Sequence, residues 1–149
     1  MAVIPNIRFN LSKIQTDEFA LLAESYESNM PVTVNIGFGF NFAKENNTIG
    51  ALVKCTFLQH DKVLLVVAAS CWFRIDAEDF KTIYDPVERQ FTLLLPHAIH
   101  FGGFTVGTVR GVLHAKTEKH ALNGVVLPPV NVNEIIKAEI KVMEAVAQG

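Results

Sequence analysis

Over residues 32–42 the chain alternates without a break. Val32, Val34, Ile36, Phe38, Phe40 and Phe42 fall on one parity, and Thr33, Asn35, Gly37, Gly39 and Asn41 on the other. Successive side chains of an extended strand point to opposite faces, so a period of two specifies a strand with one apolar and one small, polar face. At about 3.3 Å per residue such a strand runs roughly 35 Å, and it needs partners of similar length. The next segments supply them. Glu45-Asn46-Asn47-Thr48 is a turn cluster, after which Ile49, Ala51, Val53, Cys55 and Phe57 are in phase. A tight turn at His60-Asp61-Lys62 leads to a third strand over residues 63–75. Its first half is apolar on both faces, with Leu65, Val67 and Ala69 on one and Leu64, Val66 and Ala68 on the other. Antiparallel sheets usually leave one face wet. The second face is therefore expected to lie under helices, another subunit or a ligand. A short earlier strand is expected within residues 3–12, from Val3, Ile4, Ile7, Phe9 and Leu11.

The second half reads differently. Residues 76–84 start acidic and suggest a short helical turn closed by Pro86. From Gln90 the spacing becomes helical, with Pro96 suited to an early helical position. Ile99, Gly102, Val106, Val109 and Leu113 build one stripe. Gly103, Gly107 and Gly111 form a second stripe that permits close approach. Glycine and β-branched residues are poor helix formers, so this helix depends on tertiary contact. Residues 114–124 read as a polar loop and 125–129 as an extended crossover. Asn131 is expected to cap a last helix, with Glu134 in a capping-box position and Ile136, Ile140, Met143 and Ala147 on one face. The fold expected is α+β: a four-stranded antiparallel sheet (a meander) followed by two helices packed on one face, in a single domain over residues 1–149.

Composition narrows the function. Half of the 149 residues are hydrophobic and 19% are charged, which excludes a disordered chain. A mean hydropathy of +0.27 implies either an unusually large core or apolar surface covered by another chain. The net charge of −2 gives no electrostatic case for nucleic acid or an anionic membrane. The N-terminus lacks the basic and long apolar regions of a secretory signal. The longest apolar run, residues 63–69, is far below the roughly 18 residues of a spanning helix. A cytoplasmic protein without membrane insertion is expected. With the turn at residues 60–62, Cys55 falls opposite Val67 or Ala68 rather than Cys71, so two buried free thiols are expected.

Catalytic signals are missing. There is no phosphate-cradling glycine loop, no nucleophile elbow, no CxxC and no HExxH. His97 and His100 would share a helix face, but a metal site needs three or four converging ligands. Asp76, Glu78 and Asp79 suit a solvated helix start, where negative charge is stabilising. His100-Phe101-Gly102-Gly103 resembles the histidine-glycine-glycine turn of hot-dog thioesterases, but there a long helix precedes most of the sheet, and here the long strands come first. No catalytic residue, metal or cofactor is expected, and the chain is not expected to be an enzyme.

Four segments in order resemble SecB, the bacterial export chaperone family. Val53-Lys54-Cys55-Thr56-Phe57 with residues 63–67 is similar to its central hairpin. Trp72-Phe73-Arg74-Ile75 is similar to a strand end, and Leu94-Leu95-Pro96-His97-Ala98 to the start of its long helix. Leu127-Pro128-Pro129-Val130-Asn131-Val132 resembles its crossover. The resemblance spans about residues 30–136. It implies a dimer of dimers, and ATP-independent holding of unfolded polypeptide, preproteins included, along apolar grooves. Where that family has an acidic residue for docking the SecA motor, this chain has Val66, and it ends without the family's zinc-binding cysteines. SecA coupling is therefore not expected. Candidate polypeptide-binding residues are Phe38, Phe40, Phe42, Trp72, Phe101 and Phe104. Candidate oligomer contacts are Leu64, Val66, Gly103, Gly107 and Gly111. The alternative is an interaction or structural module devoted to one cognate partner.

Overall fold

A computed structural model describes residues 4–22 and 26–145. Four strands, β1 (Phe9–Leu21), β2 (Thr33–Ala43), β3 (Thr48–Gln59) and β4 (Lys62–Ile75), form one antiparallel sheet in the order β1-β4-β3-β2. The last three make the expected meander, and β1 closes against β4. The turn between β3 and β4 is the two-residue His60-Asp61 loop, both residues at positive φ (53° and 61°), whose twist matches that of the strands. The register puts Cys55 opposite Val67, and both cysteines are buried free thiols.

β1 begins later and runs much further than residues 3–12 suggest, so that Ile4 and Ile7 lie outside it (Val3 lies outside the described residues). Its pairing with β4 shifts register between Leu11 and Lys13 and again between Thr16 and Glu18. Each extra residue moves the inward parity by one. Phe9 and Leu11, then Ile14 and Thr16, then Phe19 and Leu21 therefore all oppose the inward-facing residues of β4.

One sheet face carries the core. Ile49, Ala51, Val53, Cys55 and Phe57 of β3 are at most 1% exposed. Helix α2 (Leu95–Lys116) crosses this face with Pro96 in its first turn; Gly102, Val106, Val109 and Leu113 of the expected stripe are buried, Ile99 is only half-buried, and Ala98, Phe101 and Thr105 complete the buried face. Phe73 and Phe101 stack at 4.3 Å, and Phe9 meets both edge-on at 5.7 and 5.0 Å. Gly102 permits the approach to β2, because a Cβ there would lie 3.0 Å from Ile136 Cδ1 and 3.2 Å from Phe38 Cε1.

The other sheet face corrects an expectation. Val66 and Ala68 are buried, yet what shields them is the flanking strands. Ala68 lies between Lys54 and Glu18, which form an ion pair at 3.0 Å, and Val66 lies between Thr56 and Ala20. Trp72 covers Gly50 in the same way.

The C-terminal half departs from the sequence pattern in two places. Residues Gln90–Leu93 form β6, not the start of a helix, and pair with β5 (Tyr84–Asp85) and β7 (Ile140–Met143) in a second small sheet. Phe42 stacks on Phe91 at 4.9 Å and joins the two sheets. The last helix is a single turn, α3 (Val132–Ile135), without a side-chain cap from Asn131. Ile140 and Met143 then lie on a strand, while Ala147 lies outside the described residues. The expected short helical turn is α1 (Ala77–Phe80), and the structure adds its cap, the Asp76 side chain accepting from Glu78 N.

Candidate polypeptide-binding site

Irregular backbone must find hydrogen bonds outside regular ladders, and two side chains supply them at one end of the sheet. Gln59 closes β3. Its Oε1 accepts from Glu27 N at 3.0 Å, and its Nε2 donates to Glu27 O at 2.8 Å and Met30 O at 3.2 Å. Arg110 on α2 donates from Nε to Leu127 O and from Nη2 to Pro128 O, both at 2.9 Å. The first clamp fixes the segment leading into β2, and the second fixes the crossover after α2.

Between these clamped segments lies a cleft of about 390 Å³. Tyr26, Met30, Val32 and Val34 line one side, and Val126 and Pro128 the other, with Phe57 also in the lining. Among the described residues its lining carries no charged side chain. Met30 and Val126 are exposed, at 40% and 62%. The cleft is uncharged but mixed: Ser28 and Tyr26 bring hydroxyls beside Met30, Val32, Val34 and Val126, so it can take apolar side chains next to main-chain polar groups.

The six aromatic candidates do not form one groove. Phe38, Phe40 and Phe42 are half-buried on the helix side of β2, against the core. Phe101 is 1% exposed and packed within the aromatic cluster, so it has no surface for a ligand in this arrangement. Trp72 lies on the opposite sheet face from Phe101. Phe104 is 45% exposed and meets Phe73 of β4 edge-on at 5.5 Å.

The interface candidates also divide. Leu64 and Val66 are already 3% and 8% exposed in the single chain and leave little area for a second copy. Gly107 and Gly111 face open space, and Gly103 only grazes Val132 at 3.9 Å. Sequence inspection missed Gln59, Arg110 and the cleft they shape. The only local signal was a short apolar alternation at Val32 and Val34, because the opposing walls lie some 90 residues apart in the chain.

No group of three or more potential metal ligands occurs among the described residues. Burial pushes the Cys55 thiol up to about 11, which keeps it protonated and unreactive near neutrality. No described helix is long and apolar enough to cross a membrane.

Comparison with known proteins places this architecture. A SecB-like chaperone of Mycobacterium tuberculosis, solved in complex with a ChAD peptide from an antitoxin, superposes with a TM-score of 0.55 over 83% of this chain and 91% of its own. The fold is SecB-like. At 11% identity the likeness is one of fold. A Streptococcus agalactiae protein of unknown function aligns at a TM-score of 0.48 and 15% identity, over 84% of this chain and 100% of its own. No protein-family model matches the sequence, and no curated protein matches it either.

Proposed function

We propose that this protein is an ATP-independent holding chaperone that binds extended stretches of non-native polypeptide, preproteins among them. The observation that carries this is the uncharged, clamped cleft beside the start of β2. Burying apolar client side chains there yields about 0.8 kcal/mol per methylene, without directional demands. Such a task needs no catalytic group, and the SecB-like neighbour was itself solved with a bound peptide.

The chain also exposes a second apolar surface. Leu11 and Ile14 of β1 are 41% and 53% exposed, Phe104 of α2 meets Phe73, the β4 partner of Leu11, and Gly107 and Gly111 of the same helix face open space. We assign this surface to a second copy of the chain, because it joins exposed apolar side chains of β1 to a helix stripe that admits close backbone approach. Of the oligomer contacts expected from the sequence, this reading uses Gly107 and Gly111.

The test is suppression of aggregation across several unrelated unfolded proteins, together with light scattering for the assembly. Suppression of many clients, lost on Val34→Asp in a variant that stays folded, is the expected outcome. A second reading, a module devoted to one partner, is favoured by the antitoxin peptide in the neighbour. It predicts tight binding of one polypeptide and no general suppression.

A further inference from the structure

Three side chains from outside β7 converge on one carboxylate. Lys44 Nζ, Tyr84 Oη at 2.5 Å and Arg89 Nε at 3.2 Å all donate to Glu144, whose side chain is 12% exposed. Lys44 directly follows β2, Tyr84 belongs to β5, and Arg89 lies in the turn between β5 and β6. Contacts that involve no residue of β7 group these donors. The Tyr84 ring packs on Phe91 of β6 at 4.8 Å, Phe91 stacks on Phe42 of β2, and Lys44 Nζ sits 5.4 Å from the Tyr84 ring centroid. Arg89 is held at a φ of 54°, a strained left-handed conformation for a residue with a side chain. The donor set is thus arranged in advance, and Glu144 is the movable member.

The charges do not balance within it. Two cations face one carboxylate, and among the described residues neither Lys44 nor Arg89 pairs with another acid. Asp85, on the same hairpin as Arg89, spends its Oδ1 on the N–H groups of Val87 and Glu88. A dianion therefore matches the donors better than Glu144 does. A phosphate monoester carries about −1.5 to −2 charge near neutrality and presents three acceptor oxygens, one for each donor. The hold of the Glu144 strand is also slight. β7 pairs with β6 through Ile140–Met143, none of them fully buried, and Glu144 N adds one bond to Arg89 O at 2.8 Å.

We propose that Lys44, Tyr84 and Arg89 form a receptor for a phosphate group, that Glu144 is its internal occupant, and that a phosphate-bearing ligand and docked β7 exclude one another. The ligand takes the three donors, the Glu144 carboxylate turns out to water, and β7 loses its hold on β6. The ligand is a phosphate dianion, free or esterified. A tethered occupant competes at the effective concentration its tether sets, roughly millimolar for a short flexible link. The occupied site therefore binds external phosphate weakly, and the emptied site binds it more tightly. None of the three donors lines the client cleft, so this inference stands apart from the holding function.

Titration of the full chain with inorganic phosphate at constant ionic strength, read by amide chemical shifts and amide exchange, tests this. Glu144→Ala is expected to bind phosphate about tenfold more tightly than the wild type. Adding Arg89→Met or Lys44→Met to Glu144→Ala is expected to abolish that gain. In the wild type, phosphate above its Kd is expected to speed exchange of the Ile140–Met143 amides. If Glu144→Ala does not fold, Glu144→Gln, which keeps the shape and loses the charge, carries the same comparison. Equal phosphate affinity with and without Glu144 overturns the proposal, as does phosphate binding that leaves the Ile140–Met143 amides protected. Chloride at the same ionic strength producing the same release reduces the effect to screening and overturns it too. Acetate binding as tightly as phosphate overturns the assignment to a dianion. O-phospho-L-serine binding as tightly as inorganic phosphate assigns the site to phosphate esters, and binding of inorganic phosphate alone assigns it to the free ion.

Discussion

Arg110 Nε donates to the carbonyl of Leu127 at 2.9 Å, tying the outer wall of the cleft to the middle of the long helix. With its second bond to Pro128 O, the guanidinium supplies partners for two carbonyls that no ladder satisfies. Removing a charged donor of this kind costs about 1.5–3 kcal/mol. Arg110→Met keeps the aliphatic packing and loses both bonds. It is expected to speed amide exchange at Val125 and Val126 and to weaken binding of an unfolded client several-fold. Unchanged client affinity would separate the crossover from the site.

Phe101 and Phe104 are three residues apart on one helix and have opposite expected effects. Phe101 is sealed between Phe73 and Phe9, so Phe101→Ala is expected to destabilise the fold by about 3–5 kcal/mol. Phe104 is 45% exposed, and its truncation is expected to cost the isolated chain much less while weakening self-association. Thermal unfolding and light scattering on both variants check this. A large stability loss at Phe104, or none at Phe101, would contradict the packing described.

Gly107 and Gly111 have no atom within 4 Å of an added Cβ. Within a single chain, alanine at each is expected to raise stability by about 0.5–1 kcal/mol, because glycine is a poor helix former. If a second copy packs along this stripe, the same substitutions weaken the assembly. A higher melting temperature with a smaller particle mass is the expected combination. An unchanged assembly would remove the stripe from the interface.

Glu144 holds the last strand in place. Lys44 and Tyr84 hydrogen-bond its carboxylate, with Tyr84 Oη at 2.5 Å, and Arg89 Nε adds a bond at 3.2 Å. The Lys44 bond foremost, then Tyr84 and Arg89, hold its carboxyl down to about 2 from 4.5. A folded value below the unfolded one stabilises fully above pH 4.5, and that contribution is lost as pH falls towards 2. Amides of Ile140–Met143 are expected to lose protection across that window. Glu144→Gln should lower their protection at neutral pH and flatten its acid dependence, and an unaltered profile would release Glu144 from this role.

The central meander was legible because each strand keeps one parity from end to end. β1 was not. Its inward residues Phe9, Leu11, Ile14, Thr16, Phe19 and Leu21 are spaced by two, three, two, three and two, since each bulge adds one residue. The period of two survives in space and vanishes in the sequence. The last segment misled in the opposite way. Ile136, Ile140 and Met143 fit a helical face, yet pairing with β6 and the contacts of Glu144 go with an extended strand over Ile140–Met143. Local spacing carried no record of either partner.

The sequence by itself determined the central meander, most of the buried face of α2 and the free buried thiols, because each follows from periodicity or residue type within one short segment. Only the tertiary structure decided where the cleft lies and which aromatics are sealed inside. The two walls of the cleft lie roughly 90 residues apart in the chain, one held to β3 by Gln59 and the other to α2 by Arg110, and such long-range closure leaves no mark on local pattern.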